Sequence, residues 1–90
     1  MGAYDVEVRP AVRKALRKMD PDAREAILNI LHNLGPEPRP PGVKSLIGHR
    51  PYLRIRTGDY RIIYWIDEQA GKVIVALAGH RRDIYRDLGR

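Results

Sequence analysis

Ninety residues with 43% hydrophobic content supply one modest core, so the chain reads as a single domain spanning residues 1–90. Cysteine is absent, which excludes disulfides and thiolate zinc sites, and no apolar run reaches the length of a membrane span or signal-peptide core. A small fold without such staples or spans is expected to be cytoplasmic and without membrane contact. Seventeen Lys and Arg against eleven Asp and Glu leave a formal net charge of +6, which points to nucleic acid or an acidic protein segment as partner, or to a solubilising surface charge.

Taken in chain order, Ala3 to Arg9 alternates like a strand, with Tyr4, Val6 and Val8 facing inward. Pro10 suits a first helical turn, and Val12, Leu16 and Met19 recur at helical spacing. Asp20-Pro21 reads as an N-cap followed by proline at the first helical position. The second helix runs to about Leu34, with Ala23, Ile27, Ile30, Leu31 and Leu34 as its buried stripe.

Four prolines within Gly35 to Gly42 make a stiff surface connection. Val43 to Leu46 forms a turn or a short strand. Leu53–Thr57 and Tyr60–Asp67 are strands joined by the tight turn Gly58-Asp59. Lys72 to Ala78 is an apolar strand buried on both faces, and Arg82 to Leu88 a short closing helix. The expected fold class is a small α+β domain: an N-terminal strand, a helical hairpin, a three-stranded antiparallel meander and a short C-terminal helix, with the helices packed on one face.

The chemistry-bearing feature is a cationic face. On a strand, Arg54 and Arg56 share one side while Leu53 and Ile55 take the other. Arg61 follows on the next strand, and His80, Arg81 and Arg82 close the last, so neighbouring strands would converge these cations on one patch with Tyr85 at its edge. Fixed arginines match phosphate oxygens, and tyrosine offers a stacking platform for a base. From residues alone, phosphate positioning without chemistry, or plain solvent-facing strand positions, is favoured over catalysis. His32, His49 and His80 stand at no metal-ligand spacing, and there is no phosphate-cradling glycine loop or nucleophile elbow.

The segment Arg54-Ile-Arg-Thr-Gly-Asp-Tyr-Arg-Ile-Ile-Tyr64, preceded by Lys44-Ser-Leu-Ile-Gly48 and followed by Gly79-His-Arg-Arg-Asp-Ile-Tyr85, resembles the RelE branch of the RelE/ParE toxin superfamily. The resemblance spans nearly the whole chain. It implies a RelE-like fold and a ribosome-dependent mRNA endonuclease that cuts in the A site, needs no metal or other cofactor, and inhibits translation. It also implies a cognate antitoxin, with operator DNA met only through the toxin–antitoxin complex. By the same resemblance, Arg61 stabilises the transition state, Arg81 assists the leaving group, and Tyr85 stacks on or orients the substrate.

Arg54 and Arg56 occupy the strand where the RelE branch carries lysines, one of them its proposed general base. Arginine stays protonated, so Arg54 and Arg56, with Lys44 and Arg82, are expected to bind phosphate. The proton acceptor is then His80, or a solvent or ribosomal group. Two other functions share the fold: a ParE-like inhibitor of DNA gyrase, and a non-catalytic protein acting with an antitoxin in operator binding. In the latter, Arg9, Arg13, Arg17 and the sheet face would meet an acidic or amphipathic antitoxin segment.

Overall fold

The computed structural model describes residues 3–88, with the side chains of residues 85, 87 and 88 outside the described set. Its elements are β1 (Asp5–Val8), α1 (Pro10–Arg17), α2 (Pro21–Leu34), β2 (Lys44–Ser45), β3 (Leu53–Thr57), β4 (Tyr60–Asp67), β5 (Lys72–His80) and α3 (Arg81–Leu88). The strands form one sheet in the order β1-β5-β4-β3-β2.

The expected meander of β3, β4 and β5 is antiparallel throughout, and β1 adds to it in parallel, pairing Val6 with Val73 and Val8 with Val75. The crossover from β1 to its parallel neighbour β5 takes in both helices and the strands β2, β3 and β4, well beyond the dozen or so residues that a parallel connection needs. At the other edge, Lys44 and Ser45 form a strand that pairs antiparallel with β3, Lys44 opposite Arg54.

α1 and α2 cover one face of the sheet. Val12, Leu16, Ile27, Leu31 and Leu34 pack there against Ile55, Ile62, Tyr64, Val73, Val75 and Ala78. Removing that apolar surface from water is the main stabilising contribution, at about 25 cal/mol per Å². Tyr64 crosses this core and its hydroxyl donates to the Pro38 carbonyl oxygen (2.6 Å), pinning the proline-rich connection beneath the helices. That connection is tied again at its rim, where Glu68 accepts a hydrogen bond from the Tyr4 hydroxyl and pairs with Arg39 (3.3 Å).

Asp20 occupies the N-cap position of α2, but its side chain makes no capping bond. The junction is held instead by Arg24. Its Nε donates to the Leu16 carbonyl (2.9 Å) and its Nη2 to that of Met19 (3.0 Å). A cation thereby sits at the negative end of the α1 macrodipole, sharing the Leu16 carbonyl with the Met19 N–H and adding a bond to the Met19 carbonyl.

Candidate functional site

Strand alternation separates two chemistries on β3 and β4. Leu53, Ile55, Ile62 and Tyr64 face the helices, while Arg54, Arg56 and Arg61 lie on the opposite face. Lys44 joins them as the cross-strand partner of Arg54. Arg56 stands directly opposite Arg61 in the β3–β4 ladder. Like charges at directly opposite positions destabilise a sheet, so this pairing is not explained by folding alone.

Arg61 is 8% exposed, the one charged residue buried among the described residues. Its Nη1 donates to the carbonyl oxygens of Gly58 and Tyr60, both at 3.1 Å, so the guanidinium grips its own hairpin. Its Nε is buried without a hydrogen-bond partner among the described residues. Buried donors are nearly always satisfied in folded proteins, so folding holds this guanidinium in place without using all of its donors.

Arg81 opens α3 at the other side of the same hairpin. Its backbone N–H donates to the Asp59 carbonyl (2.7 Å), and its Nε lies 3.7 Å from the Asp59 carboxylate. Asp59 therefore does more than the turn role its position in Gly58-Asp59 suggests: it ties the start of α3 to the β3–β4 turn. Arg82 is exposed on the first turn of α3. Tyr85 falls within α3, but its side chain lies outside the described residues.

His80 does not join the arginines. Strict alternation from Val73 and Val75 would carry it to their face, but the β4–β5 register shifts between Ile63 and Tyr64. Leu77 pairs with Ile63 and Val75 with Tyr64, leaving Ala76 as the extra residue of a bulge. An inserted residue reverses the parity of everything beyond it. Ala78 consequently enters the core, Gly79 pairs with Arg61, and His80 pairs with Tyr60 on the helix side.

There the His80 ring meets Tyr60 edge-on, with centroids 5.6 Å apart, and lines a groove of about 500 Å³ that also includes Ala11, Lys14 and Ile84. Its Nδ1 accepts the Arg82 backbone N–H (3.2 Å), the bond of an N-cap side chain to the second residue of a helix. No group of three or more His, Asp or Glu stands together as a metal site among the described residues.

Residues 6–85 match the family model of the ParE toxin of the type II toxin–antitoxin system parDE. Toxin RelG of Mycobacterium tuberculosis is 30% identical over 84 residues, covering 92% of this chain and 97% of that protein. A chain of the archaeal RelE–RelB complex from Pyrococcus horikoshii superposes with a TM-score of 0.77 at 27% identity, over 88% of this chain and 96% of that one. The isolated E. coli RelE toxin gives a TM-score of 0.74 at 25% identity, over 87% of this chain and 84% of that one. With four-fifths or more of its length matched by each, the chain belongs to the ParE toxin family of type II toxin–antitoxin systems, within the RelE/ParE superfamily.

Proposed function

We propose that this toxin is a ribosome-dependent endoribonuclease that cuts mRNA in the A site, neutralised by a cognate antitoxin. The observation that carries the reading is the buried, unpartnered Nε of Arg61 within a face bearing Arg54, Arg56 and Lys44. Attack of a ribose 2′-oxygen on the adjacent phosphate builds negative charge on the non-bridging oxygens. A guanidinium fixed before the reaction, in a partly dry site, stabilises that charge without reorganising. Arg61 is assigned this role, Arg81 supports the departing 5′-oxygen, and Tyr85 stacks on the substrate. Arg54, Arg56, Arg82 and Lys44 hold the flanking phosphates.

None of the arginines is a proton acceptor. His80 contributes by capping α3 and so fixing Arg81 and Arg82, and the 2′-hydroxyl proton passes to solvent or to a ribosomal group. The partner assignment draws on the similarity to chains solved as RelE–RelB complexes. Arg13 and Arg17 of α1, with Arg9 at its N-cap, suit an acidic antitoxin segment.

The test is translation in a purified cell-free system, with primer extension across the mRNA of programmed ribosomes. Discrete cuts in the A-site codon that vanish in Arg61→Ala plus Arg81→Ala are expected. Intact mRNA with continued translation would sink the reading. The family-model match to ParE makes gyrase the second target, read by trapped gyrase–DNA cleavage complexes in a supercoiling assay.

A further inference from the structure

Ile47 is 97% exposed, the most exposed large hydrophobic side chain among the described residues. Its loop is not loosely held. Leu46 N–H donates to the Tyr52 carbonyl (3.0 Å), Tyr52 N–H to that of His49 (2.9 Å), and His49 N–H to that of Leu46 (3.1 Å). Gly48 takes a φ of 79°, the left-handed conformation that glycine adopts without steric cost, and this turns the chain just beyond Ile47. The backbone thus displays Ile47 in a defined place.

Beside it lies a groove of about 450 Å³ lined by Ser45, Leu46, Ile47, Arg50, Pro51 and Tyr52. Aliphatic, proline and aromatic walls with a hydroxyl and one guanidinium suit a flat heterocycle joined to a phosphate. Charge points the same way. Between Glu37 and Asp59 the sequence holds no acidic residue, while Arg39, Lys44, Arg50, Arg54 and Arg56 fall inside that interval. The groove also starts beside the arginine face in the chain, since Ser45, which lines it, follows Lys44, the cross-strand partner of Arg54.

We propose that the β2–β3 loop is a nucleotide slot. An unpaired base of an RNA strand lying on the arginine face packs between Ile47 and the Pro51-Tyr52 wall, with Arg50 on its phosphate. Apolar wedges and aromatic platforms are the usual means of holding an unstacked base, and they tolerate any sequence. The slot rests on reading the arginine face as an RNA-binding surface, but not on cleavage.

Fluorescence anisotropy with a short labelled single-stranded RNA, and with the same strand made abasic, tests it. Ile47→Ser removes the wedge at a site with no packing role. It is expected to weaken binding of the normal strand roughly five- to tenfold, in line with the loss of one base contact, and to leave abasic binding unchanged. Arg50→Gln should weaken both strands. Wild-type affinity in Ile47→Ser, or an equal loss on both strands, overturns the slot while leaving the arginine face intact. Failure of the wild-type chain to bind either strand overturns the slot and the RNA-binding face together.

Discussion

A single inserted residue, Ala76, turns His80 away from Arg61 and sets it over the first turn of α3. If capping is its role, the acceptor atom matters and the titratable ring does not. Asparagine also places an acceptor at this position and is a favoured N-cap residue. His80→Asn is therefore expected to keep the wild-type single-turnover cleavage rate and its pH profile. His80→Ala should lose about 1 kcal/mol of stability in urea unfolding and cut more slowly. A folded His80→Asn protein that no longer cleaves would return His80 to the role of proton acceptor. Tyr64 gives a second test at this scale. Burial pushes its phenol up to about 12 from 10.0, so folding favours the protonated form. The stability this provides is complete below pH 10 and drains away as pH rises through the folded value. Tyr64→Phe should lose roughly 1 kcal/mol at neutral pH, through the missing bond to Pro38, and show a shallower alkaline loss than wild type. Denaturant midpoints measured from neutral pH upward check both effects.

At the scale of elements, the end of α2 meets the segment leading into β1 with no room for a side chain at Gly35. Gly35 has helical φ and ψ of −63° and −58°, so its backbone would accept alanine and gain helix propensity of up to about 1 kcal/mol. Packing opposes this. A Cβ there would stand 2.9 Å from the Tyr4 carbonyl oxygen, a backbone atom in the segment whose Tyr4 N–H bonds to Gly35 O. Gly35→Ala is expected to lower stability by about 1–2 kcal/mol despite the favourable backbone, with the melting temperature as readout. A higher melting temperature would mean that β1 shifts freely. This joint also marks what the sequence conceals. Helical stripes and the Gly58-Asp59 hairpin are written locally, in spacings of three, four and two residues. The β1–β5 parallel pairing, the Arg24 bonds across the helix junction and the Ala76 bulge are set by distant partners. Alternation in Leu53 to Arg56 revealed the arginine face, whereas only the β4–β5 register reveals that His80 leaves it.

For the molecule as a whole, the question is whether a formal charge of +6 acts as a diffuse attraction or through one surface. The sheet divides the cations: Lys44, Arg54, Arg56 and Arg61 lie on one side, while Arg13 and Arg17 belong to a helix packed on the other. Two double variants separate the possibilities, because each removes two exposed positive charges and leaves the same net charge. Binding of single-stranded RNA falls with salt, each phosphate contact adding about 0.7 to the slope of log K against log salt. If the strand lies on the arginine face, Lys44→Gln with Arg56→Gln should reduce the slope by roughly 1.4. Arg13→Gln with Arg17→Gln should leave it near the wild-type value. Equal reductions in the two variants would mean that net charge alone attracts the RNA and that neither face is a site. A drop confined to the α1 variant would move RNA to the helical face, leaving the sheet arginines to a different anion. Anisotropy titrations over a series of salt concentrations distinguish the three outcomes, since the slopes are compared at matched net charge and the altered side chains are all exposed.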